Sequence, residues 1–155
     1  MEGSLARYLK RYPVATFLRV LSELRRGKKE TCWMWYVFPQ LRGLARSRKA
    51  FVFGITGEEE ARQYLSHPIL GERLKACCET LLKNTDKTAE EIFGENDAKK
   101  LFYSMTLFAW ISEENSVFHK VLDRYFEGKR DRVTLGLLSG KILDATVLKY
   151  GIFGR

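Results

Sequence analysis

The sequence is poor in cysteine, histidine and proline, and each shortage excludes a class of protein. Its three cysteines, Cys32, Cys77 and Cys78, are odd in number and irregularly spaced, which does not fit a disulfide framework. Two histidines and the lack of any CxxC or HExxH pattern leave no metal-ligand spacing, so we predict no metal site. Reduced cysteines are typical of a protein of the cytoplasm, or of the nucleus if the cell is eukaryotic.

Linkers and long apolar runs are also missing. No Pro- or Ser-rich stretch separates two modules, and no window approaches the roughly 18 apolar residues of a membrane-spanning helix. The first residues, Met1 to Ser4, do not open a secretory signal. We therefore predict a single domain over residues 1–155 with no membrane association. Its C-terminal tail, residues 141–155, is expected to pack back as a final helix or an extended arm.

Positive charge is concentrated near the start of the chain. Residues 1–50 contain twelve Lys and Arg against three Asp and Glu, a net charge of +9, whereas the whole chain carries +8. A basic segment on a nearly neutral body predicts attraction to an anionic partner: a phosphorylated small molecule, nucleic acid or an acidic protein. The alternative is a solvated basic surface without a dedicated ligand.

Apolar residues recur every three or four positions through most of the chain, which is the spacing of amphipathic helices. Thr56–Glu59 and Thr88–Glu91 have the form of capping boxes, and Asp97 is placed to cap a long, strongly apolar helix. Residues 41–53 are predicted to be helical, while the aromatic residues 31–38 have no helical gaps and favour an extended or irregular segment. We predict an all-α fold, a compact orthogonal bundle of about seven or eight short helices.

The segment from Gly27 to Arg48 is the strongest candidate for a binding site. It holds two of the three tryptophans with basic residues on both sides. Aromatic faces stack on nucleobases, nearby cations hold phosphate, and an amide side chain reads a polar edge. This pattern predicts binding of a phosphorylated, base-containing small molecule, and the alternative is that the aromatic residues belong to the core. The predicted ligand-binding residues are Lys29, Trp33, Trp35, Gln40, Arg42, Arg46 and His67.

Five further residues are weaker candidates for such a site: Cys32, Asp97, Lys100, Ser104 and Thr106. Lys100 and Ser104 share one face of the predicted long helix, whereas Thr106 lies on another face, so a site using all three needs neighbouring elements. No Ser-His-Asp pattern or phosphate-binding loop is present, so we assign no catalytic residue and no cofactor. If the chain is an enzyme, we expect a hydrolase acting on a nucleotide or an ADP-ribose-like compound.

The run from Glu23 to Ser47, ELRRGKKETCWMWYVFPQLRGLARS, resembles the signature of the domain of unknown function 1810 family. Further segments match in order: Ala61–Leu74, Glu91–Gly94 with Asp97 and Lys100, Ser104–Phe108 and Val121–Phe126. The resemblance covers about residues 5–138. It implies a compact all-helical fold and no established activity.

One position departs from that signature. The family usually has His before Trp-Met-Trp, and this sequence has Cys32. A cysteine beside the cations Lys28 and Lys29 could act as a nucleophile, but a buried and inert thiol is the favoured interpretation. We therefore expect binding by this segment and no catalysis at Cys32.

A more distant similarity concerns the layout of the aromatic segment and the helices that follow it, which is similar to that of NADAR-type proteins. These proteins process ADP-ribose derivatives, which implies a ligand with a base and two phosphates. Two other functions remain open from the residues alone. The basic first third of the chain fits a non-enzymatic nucleic-acid-binding module, and the acidic run Glu58–Glu60 fits a protein-interaction domain.

Overall fold

The structure is a computed structural model that describes residues 2–141. The predicted single domain and its tail at 141–155 extend beyond it, and residues 142–155 lie outside the described residues. Ten helices account for most of the described chain: α1 (Glu2–Arg11), α2 (Val14–Arg26), α3 (Met34–Val37), α4 (Arg48–Phe53), α5 (Glu58–Ser66), α6 (Leu70–Lys83), α7 (Ala89–Phe93), α8 (Glu95–Trp110), α9 (Val117–Phe126) and α10 (Arg132–Ser139).

The all-α prediction is confirmed. In residues 2–141 the only β-type pairing is one isolated bridge between Leu41 and Ile55. The helices outnumber the expected seven or eight because two of them are very short: α3 has four residues and α7 has five. None of the helices within the described range has the length and hydrophobicity needed to cross a membrane.

Local capping chemistry explains where several helices begin. Thr88 and Glu91 form the predicted capping box at α7, with the Thr88 hydroxyl accepting from the Glu91 amide at 3.1 Å and the Glu91 carboxylate accepting from the Thr88 amide at 2.8 Å. Ser116 caps α9 by accepting from the amide of His119, and Asp131 caps α10 by accepting from the amide of Thr134. These ends depend on residues within one turn, which is why sequence spacing locates them.

The Thr56–Glu59 capping box is not formed. Gly57 occupies the N-cap of α5, and Thr56 instead donates from its amide to Glu60 at 3.0 Å, one residue further along. Glu60 is held in this position by Arg7, which donates to both of its carboxylate oxygens at 2.9 and 2.8 Å. The long-range ion pair between Arg7 and Glu60 is therefore formed in place of the predicted local capping box.

Asp97 does not cap α8 either. The helix begins two residues earlier, at Glu95, because Gly94 adopts a left-handed φ of 82° and takes the N-cap position. Asp97 consequently lies in the first turn, where a carboxylate is favourable for the helix dipole and its oxygens face outward to other partners.

The predictions for residues 31–38 and 41–53 were partly wrong. The aromatic segment contains the single helical turn α3, and helix α4 begins only at Arg48. Residues 41–47 form a loop because the backbone of Gln40 and Arg42 is paired with Ile55, through two hydrogen bonds of 2.8 Å each. Backbone groups that bond to a distant segment are not available for a helix.

Helix α8 is the centre of the core, as its apolar sequence predicted. It packs against α3, α5, α7, α9 and α10. Leu101, Met105, Leu107 and Phe108 are fully buried on it. Helices α2 and α6 pack on each other, and α6 also contacts α5 and α9, so the two ends of the described chain share one core.

Arg7 connects α1 to the segment that leads into α5. Besides Glu60, its guanidinium donates to the carbonyls of Val52 at 2.7 Å and Gly54 at 3.0 Å. Burial alone would raise the pKa of Glu60, but the hydrogen bonds from Arg7 and Thr56 outweigh it and lower that pKa to about 2.

Replacing the Glu60 carboxylate should therefore destabilise the fold in a pH-dependent way. We expect Glu60→Gln to lower the free energy of unfolding by about 1–3 kcal/mol at pH 7, because it removes a charged partner from Arg7. Glu60 binds its proton more weakly in the folded chain. Its contribution is therefore complete above pH 4.5, the ordinary value, and is lost as the pH falls towards about 2.

Urea unfolding followed by circular dichroism at several pH values measures this contribution. The control is Glu59→Gln, an exposed neighbour, which should stay within about 0.5 kcal/mol of the wild type. A difference between Glu60→Gln and wild type that remains constant between pH 7 and pH 2.5 would contradict the assigned pairing.

Candidate functional site

A buried carboxylate organises the segment that sequence analysis selected. Glu23, on the buried face of α2, is 2% exposed. Its oxygens accept from the amides of Glu30 at 2.8 Å and Thr31 at 3.2 Å, from the Thr31 hydroxyl at 2.6 Å and from the Trp33 indole nitrogen at 2.9 Å. The chain after Gly27 is thereby folded back against α2.

Hydrogen bonding keeps Glu23 charged in this position. Burial alone would raise the pKa of its carboxyl, but the donors from Thr31, Glu30 and Trp33 outweigh burial and lower it. We did not predict a role for Glu23 from the sequence. The available signal was its position three residues after Val20 on the apolar stripe of α2, where a charged residue requires partners.

Trp33 belongs to the core. It is 0% exposed, and its ring packs against Phe38 and Phe93 with centroids 6.1 and 6.3 Å away. Its indole N–H is satisfied by Glu23. Because the Trp33 side chain is fully buried, its ring offers no surface on which a base could stack.

Trp35 has the opposite environment. Trp33 is the non-helical N-cap residue before α3, whereas Trp35 lies within this helical turn and is only partly buried. The ammonium of Lys100, on α8, lies 3.8 Å from the centroid of its ring. This contact between α3 and α8 is a cation–π pair at the protein surface.

Two lysines share one carboxylate next to this ring. Asp97 binds the ammonium of Lys29 at 2.9 Å through one oxygen and that of Lys100 at 3.3 Å through the other. Lys29 is positioned by its own amide, which donates to the carbonyl of Ile92 at 2.8 Å. The three charges sum to one net positive charge, since Asp97 neutralises only one of the two lysines.

Gln40 lies close to Trp35 and Lys100. Its residue is 5% exposed, and its side-chain oxygen Oε1 is buried without a hydrogen-bond partner. This side chain lines a small cavity of about 10 Å³ together with Trp35 and Lys100. We call the group formed by Lys29, Trp35, Gln40, Asp97 and Lys100 the Trp35 site.

The two predicted arginines are not part of the Trp35 site as the contacts define it. The Arg42 guanidinium donates from Nε to the carbonyl of Phe51 at 2.7 Å and lies 4.2 Å from that ring's centroid. Arg42 also lines a different cavity, of about 460 Å³, beside Arg7 and Glu60. Arg46 is exposed on the loop before α4. The Leu41–Ile55 pairing is what separates Gln40 from Arg42.

His67 and Thr106 have structural roles, whereas the buried Ser104 hydroxyl has no hydrogen-bond partner. The Nδ1 atom of His67 accepts from the amides of Ile69 at 3.1 Å and Leu70 at 3.2 Å, at the start of α6. The Thr106 hydroxyl donates to the carbonyl of Phe102 and accepts from the amide of Asp131, which holds α10 against α8. Ser104 is fully buried within α8.

Cys32 is exposed, so the expectation of a buried thiol was wrong. It immediately precedes Trp33, and the Glu23 bonds direct Trp33 inward, which leaves Cys32 on the outside. The other two thiols are buried, and burial raises the pKa of Cys77 to about 12. Among residues 2–141, no group of three or more His, Cys, Asp or Glu side chains is arranged to hold a metal ion.

The comparisons with known proteins agree with this architecture. The family model for proteins of unknown function designated DUF1810 matches residues 2–138. The chain belongs to this family. It is also similar to the crystal structure of the conserved hypothetical protein Rv1873 from Mycobacterium tuberculosis, with a TM-score of 0.84 and 43% sequence identity over 87% of this chain and 96% of that chain. No curated protein matches.

These findings confirm the family resemblance and the helical fold, and neither comparison carries an activity. The similarity to NADAR-type proteins stays a prediction. The family match includes the whole Trp35 site, since its residues lie between positions 29 and 100.

Removing the Glu23 carboxylate should disturb this region more than removing any neighbouring charge. We expect Glu23→Ala to lower the free energy of unfolding by about 1–3 kcal/mol, because it leaves the buried indole N–H of Trp33 without an acceptor and removes the partly buried bonds from Glu30 and Thr31. Chemical denaturation followed by tryptophan fluorescence measures the loss.

The matched control is Glu30→Ala. Its carboxylate makes an exposed pair with Arg26 at 2.9 Å, and exposed pairs contribute about 0.2–1 kcal/mol. Its backbone amide still donates to Glu23. Equal losses in Glu23→Ala and Glu30→Ala would contradict the role assigned to Glu23.

Proposed function

We propose that the Trp35 site binds a phosphorylated, base-containing small molecule of the nucleotide or ADP-ribose type. The observation that carries the proposal is the position of Trp35, a partly exposed indole with Lys100 3.8 Å from its ring centroid and Lys29 joined to Lys100 through Asp97. A ring for stacking and a net positive charge for phosphate thus lie side by side.

The contacts already present indicate how such a ligand would bind. The cation of Lys100 occupies a place over the Trp35 ring that a planar base could take. A phosphate oxygen is a stronger partner for an ammonium than an aromatic face is. A ligand with both groups therefore replaces the cation–π contact by two contacts, base on indole and phosphate on lysine.

Asp97 supports the choice of a ribose-containing ligand. When phosphate draws the lysines away, the Asp97 oxygens lose part of their pairing and become acceptors for hydroxyl groups. Inorganic phosphate or a polyanion without hydroxyls offers no such replacement. The proposal concerns binding, and we assign no bond cleavage to these residues.

Calorimetric titration with ADP-ribose and AMP tests this function. We expect Lys100→Ala and Trp35→Ala each to raise the Kd about five- to thirtyfold, since each removes a contact worth about 1–2 kcal/mol. Lys99→Ala is the control, because Lys99 is an exposed neighbour on the same helix turn and should leave the Kd within about twofold, as expected for a screened surface charge.

Adenosine and ribose 5-phosphate, offered separately, should each bind more weakly than AMP. The proposal fails if neither ADP-ribose nor AMP binds, or if Lys100→Ala and Lys99→Ala have the same effect. Far-UV circular dichroism of each variant checks that the fold is retained.

A nucleic-acid-binding function is the second candidate, favoured by exposed arginines on α2. Arg19, Arg25 and Arg26 are all exposed on that helix, where phosphates of a strand could contact them. Such binding weakens steeply with salt as counterions are released. We expect it, if present, to be lost when these three arginines are replaced by alanine and to survive Trp35→Ala. Titration of a labelled single-stranded oligonucleotide at several salt concentrations measures this.

A further inference from the structure

The side-chain oxygen of Gln40 is the one side-chain polar atom of the Trp35 site that is buried without a hydrogen-bond partner. A buried acceptor without a donor is destabilising relative to a satisfied one. Buried polar groups in folded proteins are nearly always paired, so an exception calls for a partner, and a ligand group is one such partner.

Long-range hydrogen bonds hold the backbone at Gln40 in place. The carbonyl of Gln40 accepts from the amide of Ile55 at 2.8 Å, and Arg42 returns a second bond to the Ile55 carbonyl at the same distance. Pro39 precedes Gln40, and its ring fixes its own φ. The backbone from which the Gln40 side chain extends is therefore well defined.

The cavity next to Gln40 sets the size of the group that can reach it. Its volume is about 10 Å³, which is about the space that one water-sized group needs. An aromatic ring does not fit into it, whereas an amino group does. Most of the lining is apolar, with Met34, Phe38, Pro39 and Phe53 around the polar atoms, so a water molecule finds few of the two to four partners it requires.

We infer that Gln40 determines specificity by accepting a hydrogen bond from an exocyclic amino or primary amide N–H on the ligand's ring. The inference rests on the binding proposed above. The amino group enters the cavity, the ring remains outside against Trp35, and the phosphates contact Lys100 and Lys29. The ligand class is thereby narrowed to compounds with an amino-bearing base, as in adenine, or a carboxamide-bearing ring, as in nicotinamide.

Two matched ligands isolate this hydrogen bond. AMP and purine riboside 5′-monophosphate differ by the exocyclic amino group, and we expect the wild type to bind AMP about tenfold more tightly, the equivalent of about 1.4 kcal/mol. In Gln40→Met, which keeps the approximate volume and removes the acceptor, the two affinities should become equal. Nicotinamide mononucleotide in a parallel titration distinguishes an amide donor from an amino donor.

The stability of Gln40→Met supplies a readout that is independent of any ligand. Replacing an unpartnered buried oxygen by an apolar group of similar shape should leave the thermal midpoint unchanged or raise it. A clear drop in the midpoint would mean that the oxygen is satisfied within the folded protein, which would overturn the inference. Gln63→Met, at a partly exposed position on α5, is the control for the substitution itself.

The outcomes separate this inference from the proposed function. If AMP and purine riboside monophosphate bind with equal affinity to the wild type, the Trp35 site binds such ligands but Gln40 does not select them. If neither compound binds and ADP-ribose also fails, the proposed function is wrong and the inference falls with it. A tenfold preference that disappears in Gln40→Met supports both.

Discussion

The buried carboxylate of Glu23 is the interaction on which the candidate site depends. It is a charge within the apolar face of α2, and such a charge is tolerated only when donors surround it. The donors come from residues 30–33, a segment without regular structure of its own. By collecting these donors, Glu23 replaces the backbone pairing that a helix or strand would have provided there.

The direction of Trp33 decides the environment of its neighbours. With its indole fixed on Glu23 and packed against Phe93, the next turn of chain presents Trp35 towards α8, where it meets Lys100. The same segment carries Lys29 to Asp97. Within one aromatic run, Trp33 therefore packs in the core, whereas Trp35 lies partly exposed beside the positively charged Lys100.

The positive charge of the first third of the chain is also divided. Arg7 is paired with Glu60, Lys29 shares Asp97 with Lys100, and Arg26 is paired with Glu30, whereas Arg19 and Arg25 are exposed. Net charge alone does not distinguish these cases, because a paired cation contributes to folding and an exposed one to association. At the proposed Trp35 site, one net positive charge remains after Asp97 is paired with Lys29 and Lys100.

The sequence by itself determined the helical class, the family and the helix start at Thr88, because apolar spacing and caps act over a few neighbouring residues. It also selected Lys29, Trp35 and Gln40. Only the tertiary structure decided which aromatic ring is open, why residues 41–47 are not helical and which partners Asp97 binds. Those features depend on contacts between segments that are far apart in the sequence, such as Gln40 with Ile55 and Lys29 with Asp97. Local sequence patterns do not predict which distant segments come together.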